Sequence, residues 1–315
     1  MTNFYSKIGI EGVKIGGKLL RKSRLNVSFL TVLMVFTMSL NETSAKCPVR
    51  MGSLFPPKQF LVISQRGSSN FQENTLAAFQ EAINKQGANS LQVDLILNSK
   101  DRVVLSRNSA QKPDTKPRVQ KPQLKDFLEW ASQQPKLKLV LFNLNVPAND
   151  KDAAIILLKE FQRVLSFYSQ FLQFEMVFLT PHKEILKPLK SQFKEFDFSY
   201  YREIRSVEII NYHTHTSIPT AMEFKNDYSS IGLKKNITRP STPDPWKIYK
   251  FILTLDFKIR DNYKKSTGNY IKIFSGTFND ARKIRCLINL GVNGIVTNHP
   301  DRVKEIALEL GKTLD

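Results

Sequence analysis

Cysteine, histidine and acidic side chains are all scarce in this chain. Its 315 residues include two cysteines, four histidines and 28 acidic side chains against 47 lysines and arginines. Two cysteines, Cys47 and Cys286, exclude a disulfide-rich scaffold and leave two alternatives open, one bridge or two thiols. No Cys/His spacing supports a zinc site. The shortage of acids gives a formal charge of +19. Six Lys/Arg against two acids in residues 1–45 supply +4 of it, and the rest of the chain +15. Such an excess favours anionic partners such as lipid headgroups, nucleic acid or cell-wall polymers, and is silent about fold. A generally basic surface would give the same balance. The uncharged run Leu25–Leu40 has 16 residues, short of the roughly 20 a spanning helix needs. Internal repeats and long low-complexity segments are missing.

The basic flank before Leu25, the uncharged run and the small residues Thr43-Ser44-Ala45 read as a signal peptide over residues 1–45, cleaved near Ala45, or as an uncleaved signal anchor. Either expectation exports the following domain, since the positive flank stays inside. Residues 46–58 read as a linker and 59–315 as the folded domain. Asn236-Ile237-Thr238 is a glycosylation acceptor only in a eukaryotic secretory pathway.

From residue 59 onward, short apolar runs alternate with amphipathic segments, the pattern of βα units around a parallel sheet. Strands are expected near Phe60–Ser64, Leu91–Leu97, Val103–Ser106, Lys138–Val146, Phe174–Thr180, Phe196–Tyr200, Tyr270–Phe274 and Gly294–Val296. Helices are expected after Asn74 or Thr75, over Pro122–Ala131, Asp152–Gln170 and Lys183–Phe193, and around Asp280–Leu290. Pro219, Pro240, Pro243 and Pro245 interrupt residues 202–267, which read as irregular. The order predicts a TIM (β/α)8 barrel with one irregular stretch. In the second strand Val93 and Leu95 face one side, Gln92 and Asp94 the other.

Several motifs fall at predicted strand ends. Gln65-Arg66-Gly67 is followed by Glu73-Asn74-Thr75, then by Gln92-Val93-Asp94. Pro122-Gln-Leu-Lys-Asp-Phe-Leu-Glu-Trp130 opens a helix, and Gly291-Val-Asn-Gly-Ile-Val-Thr-Asn-His-Pro-Asp301 closes the domain. In this order they resemble the glycerophosphodiester phosphodiesterase family, whose fold is a barrel of the phospholipase C-like phosphodiesterase type. The resemblance is good over residues 60–145 and 270–305, and rests on pattern alone between them.

That resemblance implies a divalent cation held by carboxylates at the strand ends, with two histidines as general base and acid. The residue types here differ. Gln65 stands at the first histidine position and Ser106 at the second, with Arg107 at the neighbouring aspartate. Asp94 is kept, while Gln92 and Asn143 stand where the resemblance implies carboxylates, and Asn145 replaces a lysine. Gln, Ser and Asn carry no proton-shuttling group, and one carboxylate holds a hard dication weakly. The expectation is a degenerate member with no intact catalytic residue and no required cofactor, Asp94 keeping at most residual Ca²⁺ or Mg²⁺.

Arg66, Glu73, Asn74, Arg107, Asn143 and Asn145 could still hold an anionic small molecule or phospholipid headgroup, Arg66 through its bidentate fork. A membrane surface or protein partner fits the charge as well, while no basic-aromatic module suggests nucleic acid. Each residue has a plainer reading too. Glu73-Asn74-Thr75 could serve as cap and brace, Asp94 could pair with Arg66, and Arg107 could face solvent on the hairpin. The alternatives are a divergent phosphodiesterase of glycerophospholipid metabolism that recruits His182 or His299, and a purely structural barrel. His213 and His215 would share a strand face but lack an acidic partner.

Overall fold

The computed structural model describes residues 57–107, 121–147, 150–180, 182–204, 207–213, 245–268 and 271–314. The expected leader, most of the linker, Cys47, His215 and Asn236 lie outside them.

Eight strands close a barrel. They are β1 (Leu61–Gln65), β2 (Ser90–Leu97), β4 (Leu139–Leu144), β5 (Glu175–Thr180), β6 (Asp197–Ile204), β7 (Val207–His213), β8 (Ile271–Gly276) and β9 (Gly294–Thr297). The ring closes because β1 pairs in parallel with both β9 and β2. A ninth strand, β3 (Val103–Leu105), returns antiparallel on β2 as a hairpin. The helices are α1 (Leu76–Asn84), α2 (Leu124–Ser132), α3 (Lys151–Leu165), α4 (Lys183–Gln192), α5 (Pro245–Thr267), α6 (Ala281–Leu290) and α7 (Pro300–Glu309).

Two apolar layers follow from the alternation along the strands. Leu61, Ile63, Leu139, Leu141, Val177, Leu179, Phe274 and Val296 fill the barrel interior. Their strand neighbours Val62, Val93, Leu95, Val140, Phe142 and Phe178 face outward against the helices. There Phe79, Phe127, Phe142, Phe161 and Phe178 run as a chain of edge-to-face rings, with successive centroids 5.4, 5.8, 5.0 and 4.8 Å apart. Such pairs add about 0.5–1.5 kcal/mol each beyond burial. The chain crosses α1, α2, β4, α3 and β5, so it locks helices to strands on the side that carries the site.

Two features correct the sequence reading. Residues 202–267, read as irregular, contain β7 and the 23-residue helix α5 among the described residues. Pro245 opens α5, a position where its missing N–H is no loss. The helix was hidden because Lys250, Asp256, Arg260 and Asp261 are buried alongside Leu253 and Phe257, which erases the apolar stripe that marks an amphipathic helix. Second, β7 runs antiparallel to both β6 and β8. Seven of the eight barrel strands are parallel to one another, and the short β6–β7 connection takes the place of a crossover helix.

Candidate functional site

The site begins where β1 ends. Arg66 and Gly67 adopt φ of +59° and +92° and turn the chain sharply off the strand. The turn is pinned by Arg66 N donating to Gln92 O at 2.8 Å and Asn74 N donating to Arg66 O at 2.9 Å. Gly67 lies against α1. A Cβ there would stand 2.5 Å from Ala78 Cβ and 2.7 Å from its carbonyl carbon. Glycine is required both for the conformation and for the approach.

The loop after Gly67 delivers Asn74, itself at φ +59°, a conformation asparagine tolerates better than most residues. Its side chain is 2% exposed. Asn74 Oδ1 accepts from Asp94 N and Asn74 Nδ2 donates to Asp94 Oδ2, both at 3.1 Å. Thr75 is the N-cap of α1, its hydroxyl accepting from Ala78 N at 3.3 Å. Thus Glu73-Asn74-Thr75 braces the loop, and Asn74 reaches the site.

Asp94 is the hub and is fully buried. Its Oδ2 accepts from Arg66 Nε at 2.5 Å as well as from Asn74, and its Oδ1 accepts from Asn143 Nδ2 at 2.8 Å. The register makes this possible, since Asp94 of β2 lies beside Asn143 of β4. Gln92 sits one inward-facing position below Asp94, beside Gln65 of β1. Asn143 Oδ1 is buried without a hydrogen-bond partner. The amide cannot turn over without setting two oxygens against each other at Asp94, so Oδ1 stays free for a donor. Arg66 NH1 stands 3.6 Å from Glu73 Oε2, whose side chain is 59% exposed.

The remaining predicted residues are placed more peripherally. Ser106 N donates to Asp94 O at 3.0 Å, just past β3. Arg107 is exposed, and its carbonyl accepts from Asn145 Nδ2. One donor of Asn145 therefore braces the hairpin. His182 and His299 sit at the ends of β5 and β9, as N-caps of α4 and α7. Each donates its backbone N–H to the threonine two residues earlier, Thr180 Oγ1 at 3.1 Å and Thr297 Oγ1 at 3.0 Å. Neither imidazole is among the described hydrogen-bond partners of Asp94 or Arg66. His213 pairs with Ile271, the first residue of β8. The reversed direction of β7 puts it at the opposite end of the barrel.

Asn279 was not singled out by sequence reasoning. Its Oδ1 accepts from Thr297 Oγ1 at 3.0 Å and Asn298 N at 3.1 Å, tying the loop after β8 to the end of β9. A loop asparagine carries no sequence signal for such a contact.

The dication implied by the sequence resemblance can be tested against these donors. Among the described residues Asp94 is the one carboxylate at the centre, and both its oxygens face N–H donors, one of them a guanidinium's. An ion there would confront a fixed positive charge and two amide nitrogens, and a hard dication needs several oxygens. Among the described residues no group of three or more His, Cys, Asp or Glu could hold a metal. The residues do not fit the ion.

Residues 66–302 match the sequence model of the glycerophosphoryl diester phosphodiesterase family. No curated protein matches the chain. Among solved structures, one from Silicibacter pomeroyi described as a glycerophosphoryl diester phosphodiesterase is 15% identical. It has a TM-score of 0.56, with 84% of this chain and 98% of that chain covered. A glycerophosphodiester phosphodiesterase from Parabacteroides distasonis is 14% identical, with a TM-score of 0.50 and coverage of 81% and 100%. At these identities the likeness concerns the fold, an α/β barrel.

Proposed function

Because the chain belongs to the glycerophosphoryl diester phosphodiesterase family, we propose that it uses that family's barrel to bind a phosphate-containing ligand without hydrolysing it. One observation carries this reading. Asp94 has its charge met by Arg66 and its lone pairs by Asn74 and Asn143. A carboxylate so held is a structural counter-ion and not a ligand waiting for a cation. Around it Gln65, Gln92, Ser106 and Asn143 offer no group that exchanges a proton near neutral pH.

Binding capacity is left at the same place. Arg66 NH2 has no partner among the described residues, and a guanidinium edge suits a phosphate oxygen. Asn143 Oδ1 is enclosed by protein without a donor, so the contact this site offers a ligand is the guanidinium, and its match a phosphate. We also place the barrel outside the cytoplasm. The basic flank, the uncharged run Leu25–Leu40 and the small residues Thr43-Ser44-Ala45 support this, since together they read as an export signal.

The test is calorimetry with glycerol 3-phosphate beside a choline-release assay on glycerophosphocholine, with Ca²⁺ or Mg²⁺ present. Binding weakened at least tenfold by Arg66→Lys, with no choline released, is the expected result. Metal-dependent release abolished by Asp94→Ala would overturn the reading. Release abolished by His182→Ala or His299→Ala would replace it with a recruited-base enzyme.

A further inference from the structure

The opposite end of the barrel carries a different surface. Two adjoining cavities open there, of about 680 and 610 Å³, both lined by Lys138. The first lies among Lys58, Glu175 and Lys272, at the starts of β1, β5 and β8. Among the described residues, the second is lined by Lys85, Lys136, Lys304 and Lys312 and by no carboxylate. Lys272 is neutralised by Glu175 at 2.6 Å and Lys85 by Glu81 at 2.9 Å. Lys58, Lys136, Lys138 and Lys304 have no ion pair among the described residues.

Apolar side chains stand out of the same surface. The segment from the end of α3 to the start of β5 exposes Phe167 at 66% and Phe171 at 55%, and continues into Leu172, Gln173 and Phe174 on the rim of the first cavity. Leu308, on the last turn of α7, is 51% exposed and lines the second. Helix C-termini gather at this end, and a cation there complements the helix dipole. That accounts for Lys85 and Lys312, but not for exposed phenylalanines.

We propose that this N-terminal face of the barrel docks on an anionic phospholipid membrane. Unpaired lysines beside protruding aromatic and aliphatic side chains are the composition of an interfacial surface. The rings enter the headgroup boundary, and each lysine gains attraction to anionic lipid. The face is held in shape. Gln59 bridges to Thr313, and Lys312 Nζ donates to Pro57 O at 2.8 Å. The chain also enters β1 at this end, downstream in sequence of the uncharged run Leu25–Leu40.

The experiment is cosedimentation of the full chain with phosphatidylcholine vesicles and with vesicles containing about one-third phosphatidylglycerol. Any contribution of the N-terminal run is common to all variants. Tighter partition onto the anionic vesicles is expected, reduced at least about 100-fold by Lys136→Glu/Lys138→Glu/Lys304→Glu, since each lysine near the surface contributes roughly fivefold and each new carboxylate is repelled. Phe167→Ser/Phe171→Ser should reduce partition onto both vesicle types. Lys151→Glu/Lys187→Glu/Lys283→Glu removes the same charge away from this face and should change it severalfold at most. Equal losses from the two lysine triples overturn the proposal, as does equal partition onto both vesicle types. Capture of an oligonucleotide with the same lysine dependence, the vesicles being ignored, assigns the face to nucleic acid and overturns it too.

Discussion

Arg66 donates from Nε to Asp94 Oδ2 at 2.5 Å, joining a guanidinium with 11% side-chain exposure to a carboxylate with none. Breaking a buried pair from one side strands the other charge, which costs about 3–5 kcal/mol, whereas replacing both partners with apolar groups can be nearly neutral. Asp94→Leu should therefore destabilise the barrel by about 3–5 kcal/mol in urea unfolding. Arg66→Met/Asp94→Leu should be less destabilised than Asp94→Leu alone. Additive losses in that double-mutant cycle would show that the two side chains act independently.

Gly67 carries a separate prediction about the turn that presents Arg66. Gly67→Ala places a Cβ 2.5 Å from Ala78 Cβ and forces alanine to φ +92°. The backbone conformation alone costs about 1–2 kcal/mol, and α1 must shift besides. A fall in melting temperature and a weakened glycerol 3-phosphate affinity are expected together, because the shift moves Arg66. A stable variant with unchanged affinity would show that the turn is softer than its contacts indicate.

The sequence was legible where chemistry repeats with a period. Alternation in Leu91–Leu97 separated Val93 and Leu95 from Gln92 and Asp94, and the structure divides them in the same way between helix layer and barrel interior. A cap at Asn74 or Thr75 was readable because short polar side chains before an apolar stripe do that work, and the structure uses Thr75. What could not be read was register. Nothing in Asp94 or Asn143 announces that they are strand neighbours, and the Asn143 bond to Asp94 depends wholly on it. Helix α5 was lost for a different reason: Arg260 is fully buried, and NH1 donates to Gly291 O at 2.9 Å and Asn293 Oδ1 at 3.0 Å. A sequence pattern counts such an arginine as surface.

Lys190 gives a pH prediction. It lies in the last turn of α4, and burial pushes its pKa below the ordinary lysine value, with Asp197 partly opposing. A depressed folded-state pKa means the charged ammonium is disfavoured in the native state. The unfolded chain then binds more protons between the two pKa values, so stability rises with pH across that window. Below the window the full penalty is present. Lys190→Met should stabilise the protein at neutral pH, and its advantage should shrink as pH rises through the folded-state pKa towards the ordinary lysine value. Urea midpoints measured across alkaline pH would decide, and a constant advantage would place the effect in packing.

The proposal that this site binds without a metal can be tested by adding carboxylates around Asp94. Gln92→Glu/Asn143→Glu surrounds Asp94 with two further carboxylates at neighbouring strand positions. Without cations the like charges should destabilise the variant, and the second change also removes the Asn143 donor to Asp94 Oδ1. Calcium should then raise its melting temperature, since a ligand at 100 times its Kd stabilises by about 2.7 kcal/mol. The parent protein should show little response at the same concentration. Choline release from glycerophosphocholine should stay absent from the variant, because Gln65 and Ser106 still stand where the family resemblance implies histidines. A parent protein that responds to calcium as strongly as the variant would mean that Arg66 yields Asp94 to the ion.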